Sequence, residues 1–331
     1  EDGWRWAIAQ SAIVMAAYGV YYWFAITDGP AGTVHRKPRK AVALEVSSWG
    51  DMIKLILWTI PLVGVLGILV WRIENMGYLS ATGAAICYAV IVAIVCYQII
   101  QILRVNIPLL KQGVPEDDKY PFNSVAALNS TYFANFGAEL AVVSMLPMFF
   151  EETWSLSATA AGLIAASFAF VNLVARPMGG LVSDRMGNRR FVMLSYMFGI
   201  SVGFALMGLM NSNWPLIIAV GITVFTSFFV QGAEGATFGI IPSIKRRLTG
   251  QISGMAGAYG NVGAVVYLTI FTFVTPTQFF YIIAGGAFVS WLLCIMWLKE
   301  PESGFADEYQ VSSVDLQIEE GERRRQAAAT S

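Results

Sequence analysis

Histidine occurs once in these 331 residues and cysteine three times, and charged side chains make up only 13% of the chain. Soluble domains carry roughly 25% charged residues, so water is excluded as the solvent for most of this sequence. The single His35 stands in a basic stretch with no partner at metal-ligand spacing, which argues against haem or zinc held through imidazole. Cys87 and Cys96 share one apolar segment on opposite helix faces and Cys294 lies in another. All three read as small buried hydrophobes, and no disulfide is expected. Paired carboxylates, a nucleophile with its base, a phosphate loop and a metal cluster are missing at usable spacing, so neither an enzyme nor a cofactor is expected. The net charge of -1 singles out no soluble partner, and no nucleic-acid partner is expected. Residue 1 is Glu rather than Met, and the apolar stretch behind it is too long for a signal-peptide core. The chain therefore reads as truncated at its front.

Apolar length is what the sequence has instead. Hydrophobic residues are 56% of the chain, and the mean hydropathy of +0.60 is spread along its whole length. A membrane-crossing helix needs about 20 mostly apolar residues. That criterion predicts an all-α membrane protein with nine spans at about 5–27, 53–72, 79–103, 125–150, 157–181, 190–211, 214–240, 251–274 and 277–298. Lysine and arginine gather in alternate loops: Arg36, Lys37, Arg39 and Lys40; Arg104, Lys111 and Lys119; Arg185, Arg189 and Arg190; Lys245, Arg246 and Arg247. Such loops stay on the cytoplasmic side, and the loops between them are expected to face outward. Spans 53–72 and 79–103 have few helix weakeners and no polar motif, and read as an inserted peripheral hairpin with Lys54 anchoring one end. The segment 299–331, with Glu319, Glu320 and Glu322 ahead of Arg323, Arg324 and Arg325, lacks an apolar period. It is expected to be a disordered cytoplasmic tail.

Three groups of residues carry chemistry. The turn from Gly179 to Arg190 holds Gly180, Asp184, Arg185, Gly187, Arg189 and Arg190. There, Gly180 permits close helix approach, Asp184 can bond a neighbouring helix end, and the arginines mark the cytoplasmic surface. Arg176 lies about nine residues deeper, where an arginine is costly unless it faces a cavity or a partner. Its planar fork suits a carboxylate or a trigonal oxyanion, the competing reading being a side chain that snorkels to the headgroups. Gly254, Gly257, Gly260 and Gly263 recur at helical spacing and form a smooth ridge beside Asn261. Taken alone, that ridge is most simply a helix-packing surface.

These residues resemble a known family. The Gly179–Arg190 turn is similar to the loop signature of the major facilitator superfamily, with Asn188 as one extra residue before the arginine pair. The Gly-Asn-Val-Gly-Ala block at 260–264 closely resembles the second signature of the nitrate/nitrite porters, a branch of that superfamily. Segments 132–140 and 233–242 and the opening Gly3, Trp4 and Arg5 resemble family segments too, so the likeness covers about 1–27 and 120–300. It implies residues 1–27 as the last helix of an N-terminal bundle, 28–124 as loop, inserted hairpin and linker, and 125–298 as the C-terminal six-helix transport bundle. It further implies alternating access for nitrate or nitrite in a cell membrane. Arg176 becomes the C-terminal clamp arginine, Tyr132 and Phe136 its hydrogen bonder and aromatic wall, and Asn261 part of the site. The second clamp arginine belongs to helices of the same protein that precede residue 1. Glu139 and Glu234 are candidate proton-coupling groups, since a mid-span carboxyl must be protonated or paired, and symport and exchange both stay open. The Gly-x-Glu-Leu pattern at 137–140 resembles the cyanobacterial, algal and plant branch. A porter for another small anion such as a carboxylate, and a membrane sensor or scaffold that transports nothing, are the competing functions.

Overall fold

The structure, a computed structural model, describes residues 3–26, 38, 42–300 and 313–330. His35, Arg36, Lys37, Arg39 and Lys40 lie outside them. Within the described residues the chain is entirely helical apart from loops, and nine helices are long and apolar enough to cross a membrane. A helical segment stands at each of the nine expected spans, the fifth of them divided in two and the third running on to Gln112.

The chain divides into two units. One contains α1 (Gly3–Ala25), whose large side chains are exposed on every face, Trp6, Met15 and Phe24 among them. A helix that is apolar all round needs lipid or protein on all sides. The other unit holds α2 (Trp49–Asn75), α3 (Ala81–Gln112), α4 (Phe122–Trp154), α5 (Ala158–Phe170), α6 (Asn172–Arg185), α7 (Arg189–Leu209), α8 (Leu216–Ile244), α9 (Thr249–Phe271) and α10 (Pro276–Trp297). The last helix, α11 (Ser313–Thr330), straddles the division, which falls between Ile318 and Glu319.

In the larger unit α4 is the hub, packed against α5, α8, α9 and α10, while α6 pairs with α8 and α7 bridges α8 and α10. Lipid tails are as apolar as leucine, so helix cohesion in a bilayer rests on close backbone approach and interhelical hydrogen bonds. The sequence supplies both. An added Cβ at Gly137 would lie 2.7 Å from the Gly263 backbone, and one at Gly179 would lie 2.0 Å from the Gly232 carbonyl oxygen. Small residues thus set the α4–α9 and α6–α8 spacings. The expected span at 157–181 is in fact two helices, interrupted at Val171. The break leaves the Phe168 carbonyl to accept from Ser227 Oγ at 2.6 Å and Gln231 Nε2 at 2.8 Å, both on α8.

Helix α2 lies against α9 and α4, and α3 packs chiefly against α2. Lys54 donates to Asn123 Oδ1 at 2.8 Å and pairs with Asp51, so it ties the hairpin to the start of α4. Within the tail segment, Ser313–Thr330 form a helix. Glu319 with Arg323 and Glu320 with Arg324 stand at the i, i+4 spacing that supports an exposed helix. Ser313 also bonds Asp117 through its backbone N–H. Glu300, at the head of the same segment, is fixed as well, capping α7 through the backbone N–H groups of Arg189 at 2.9 Å and Arg190 at 2.6 Å.

Candidate functional site

Arg176 turns into the bundle rather than toward the headgroups. Counting back from Arg185 at 1.5 Å per residue puts it about 13 Å deep along α6. Its Nη2 donates to Tyr132 Oη at 2.9 Å and lies 2.5 Å from Glu234 Oε2. The guanidinium stands 5.8 Å from the centre of the Phe136 ring, and Tyr132 and Phe136 stack at 5.1 Å with their planes 9° apart. Tyr132 and Phe136 are one helical turn apart on α4, so they share a face, and Gly260 on α9 leaves them room: a Cβ there would meet Phe136 at 2.6 Å and Tyr132 at 2.7 Å. Since Tyr132 accepts from the arginine, its own O–H proton is left to donate elsewhere. An arginine fork, a phenolic donor and an aromatic face are groups of the kind that could hold a small planar anion.

The acidic side of the site was not paired from the sequence. Glu234 is fully buried, and apart from the charge contact with Arg176 its oxygens have no partner in hydrogen-bond geometry. Glu139 is buried close enough to act on Glu234 electrostatically. Its Oε1 accepts from Asn172 Nδ2 at 2.9 Å and from Gln231 Nε2 at 3.4 Å. Asn172 and Gln231 were missed, although a signal existed. Asn172 precedes Arg176 by four residues and Gln231 precedes Glu234 by three, the spacings that share a helix face.

Asn261 does not join this cluster. Its side chain is exposed and its amide donates to the Gly257 carbonyl of its own helix at 3.0 Å. The glycine ridge divides likewise. Gly260 and Gly263 are buried against α4, where a Cβ at Gly263 would sit 2.2 Å from the Phe133 carbonyl oxygen, whereas Gly254 and Gly257 have nothing within 4 Å of that position.

In the α6–α7 turn, the closest helix approach is at Gly179 rather than Gly180, whose Cβ position lies 3.5 Å from the Gly235 carbonyl oxygen. Gly187 has φ +65, a left-handed conformation that favours glycine. The extra residue, Asn188, is the N-cap of α7, its side chain accepting from Phe191 N–H at 2.9 Å. Asp184 approaches Arg189 at 3.5 Å instead of capping a helix, Arg190 donates to the Ile295 carbonyl at 2.6 Å, and Arg185 is exposed.

A second network at the same end of the bundle also escaped the sequence. Arg247 pairs with Asp118 and with Glu45 at 2.8 Å, Lys245 reaches Asp118 at 2.6 Å, and all four are buried. Residues 43–47, a non-helical segment that carries Glu45, are held in place as a strap. Asn106 on α3 bonds the backbone of Val46 at 2.8 Å and Leu44 at 3.0 Å, and Tyr120 bonds the Glu45 carbonyl at 2.5 Å. Of these charges, Lys245 and Arg247 had been assigned only a side of the membrane, and Glu45 and Asp118 had not been singled out.

Comparisons with known proteins fit this geometry. A sequence model described as the Major Facilitator Superfamily matches residues 128–324. The chain is 42% identical to the nitrate/nitrite transporter NrtP of a Picosynechococcus species, over 93% of this chain and 61% of that protein. It is 41% identical to NrtP of Nostoc punctiforme, over 93% of this chain and 63% of that protein. High-affinity nitrate transporter 2.3 of Oryza sativa subsp. japonica is 40% identical over 43% of this chain and 28% of its own length. The chain thus spans about three fifths of the length of the two cyanobacterial relatives.

Proposed function

This chain belongs to the Major Facilitator Superfamily, and from that premise we propose that it is the C-terminal transport half, with flanking helices, of a nitrate/nitrite permease working by alternating access. The observation that carries the reading is the convergence of the Arg176 fork, the Tyr132 hydroxyl and the Phe136 face on one point inside the bundle. The names of the relatives support nitrate and nitrite over other anions.

In this reading α1 is the last helix of an N-terminal bundle, whose own arginine meets the anion from the other side. The α2–α3 hairpin is a peripheral insertion, the basic loops and the tail are cytoplasmic, and the protein sits in the cell membrane. Asn261 and the open glycines Gly254 and Gly257 lie on the exposed side of α9, available to the N-terminal helices or to the aqueous path. A small carboxylate would fit the same fork, and it is the alternative that the test must separate. Catalysis has no part in this proposal.

The test is uptake of labelled nitrate, nitrite and formate by cells expressing the full-length protein, wild type and Arg176→Lys at matched surface expression. Lysine keeps the charge and loses the planar two-donor edge. Nitrate and nitrite uptake should fall to near background in the lysine variant while membrane insertion is unchanged. Near-normal uptake by that variant would remove Arg176 from the site, and uptake of formate alone would replace nitrate by a carboxylate.

A further inference from the structure

We propose that the α2–α3 hairpin is a splint for α9, and that Tyr259 is a positioning residue through which α2 holds the Gly260 turn of α9 against the Tyr132–Phe136 stack. The proposal rests on the anion-site reading given above, and it gives a part in that site to a pair of helices that contribute no residue to it.

Helix α9 needs outside support. It carries five glycines, Gly250, Gly254, Gly257, Gly260 and Gly263, in 23 residues, and each glycine weakens a helix through its backbone freedom. At Gly260 the missing side chain is what leaves Tyr132 and Phe136 their room. The helix that shapes one wall of the site is therefore also a soft one.

The hairpin and its strap meet α9 at three heights. Just before α9 begins, Arg247 pairs with Glu45 of the strap at 2.8 Å. Near its middle, Tyr259 Oη donates to the Trp58 carbonyl of α2, and the two rings meet edge to face at 5.1 Å. Just past its end, the Arg72 guanidinium stands 5.4 Å from the centre of the Phe273 ring, and the Trp71 ring 6.4 Å from it. With 23 residues α9 is about 35 Å long, so these contacts run its whole length. Apolar packing alone would let two helices slide past each other in lipid, whereas a hydrogen bond and ring pairs at fixed points set their register.

The middle contact has a cause in the sequence of α2. Pro61 has no N–H, so the Leu57 carbonyl loses its usual donor and the bonding of the turn that contains Trp58 is disturbed. Membrane helices tolerate such a proline where a neighbouring helix supplies the missing bonds. Tyr259, buried on α9, supplies one to Trp58, three residues before the proline. The Trp58 ring is also met edge to face by Trp297 of α10 at 6.4 Å, so the acceptor is itself held. Tyr259 directly precedes Gly260, and successive helix residues stand about 100° apart. One turn of α9 thus turns one side chain to α2 and the adjacent glycine to the site wall.

The full-length protein tests this, by uptake of labelled nitrate, nitrite and formate into proteoliposomes and by amide hydrogen exchange of the same preparations. Tyr259→Phe removes one oxygen and keeps the ring. It should raise the KM of the carried anion about two- to tenfold, the span of one hydrogen bond's net worth, with less change in maximal rate. It should also speed amide exchange in α9 more than in α7, α8 and α10. Adding Pro61→Ala gives α2 its missing N–H, so the melting temperature should recover while KM stays raised, because the link to α9 is still gone. Recovery of KM in that double variant would reduce Tyr259 to a repair of α2 and overturn the proposal. Wild-type KM in Tyr259→Phe alone, or α9 exchange at the wild-type rate, would overturn it as well. Should Tyr259→Phe fail to reach the membrane, Arg72→Gln at the far contact carries the test: exchange should quicken in the last turns of α9, and unchanged exchange there refutes the splint. If formate is carried and nitrate and nitrite are not, the substrate assignment falls, and a raised KM for formate supports the positioning role by itself.

Discussion

The divided glycine ridge on α9 makes a prediction whose sign changes within one helix. At Gly263 an alanine Cβ would stand 2.2 Å from the Phe133 carbonyl oxygen and 3.0 Å from its carbon, both backbone atoms that no rotamer change can move. Helix α9 has to retreat from α4 by roughly 1 Å to restore ordinary contact, and overpacking of that kind costs about 1–3 kcal/mol. At Gly260 the clash is with the rings of Tyr132 and Phe136 at 2.6–2.7 Å, so part of the strain is taken up by the site itself. At Gly254 and Gly257 nothing lies within 4 Å, and alanine there removes only backbone freedom, worth about 0.5–1 kcal/mol in favour of the helix. The assay is thermal unfolding of the four single Gly→Ala variants in one detergent, with anion uptake measured alongside. Gly263→Ala should melt lower. Gly260→Ala should lose uptake out of proportion to its melting shift. Gly254→Ala and Gly257→Ala should melt at or above the wild-type temperature. If all four fall together, the ridge is a single packing surface and the division read from the contacts is refuted.

Three further outcomes follow from particular contacts. Tyr132→Phe should weaken anion uptake while leaving the melting temperature nearly unchanged, since the ring stack stays and only the hydroxyl bonded to Arg176 goes. A large fall in stability would instead make Tyr132 structural. Arg247→Met should lower stability by about 3–5 kcal/mol, the cost of stranding a buried acid, because Asp118 and Glu45 both lean on it. A change of less than about 1 kcal/mol would mean that Lys245 alone satisfies Asp118. Asn188→Ala should cost about 1 kcal/mol through loss of the α7 cap, seen as a small drop in melting temperature with uptake kept. No drop would show that Glu300 caps the helix unaided.

The nine spans were legible because membrane crossing depends on local length and hydropathy, and neither needs knowledge of a partner. The break at Val171 was not, since the apolar run continues across it. The strap at 43–47 left no signal at all, because a non-helical segment fixed by Asn106, Tyr120 and Arg247 has no periodicity of its own. The helix at Ser313–Thr330 was not read for a related reason: its support is charge pairing rather than an apolar stripe. Charge counting told which side of a membrane Lys245 and Arg247 should take, and that statistic says nothing about whether they are solvated or buried.

The site shows where such reading stops and how it can be extended. The cost of burying an arginine makes it certain that Arg176 needs a partner, yet it cannot say which of two buried glutamates supplies one. That choice depends on how closely α6 and α8 approach, and the approach is written in glycine. An added Cβ at Gly235 would lie 1.8 Å from the Arg176 carbonyl oxygen, and one at Gly179 would lie 2.0 Å from the Gly232 carbonyl oxygen. Helices in such backbone contact must bring together side chains that stand beside the contact. Arg176 stands three residues before Gly179, and Glu234 directly precedes Gly235. Paired small residues on two spans, each flanked by a charge of opposite sign, therefore amount to a contact prediction, and it was Glu234, neighbour to a glycine, that met the arginine. Glu139 precedes Leu140 rather than a small residue and sits farther along α4, so it was left to amide donors. The spacing that permits the helices to meet is thus also what puts a carboxylate beside Arg176.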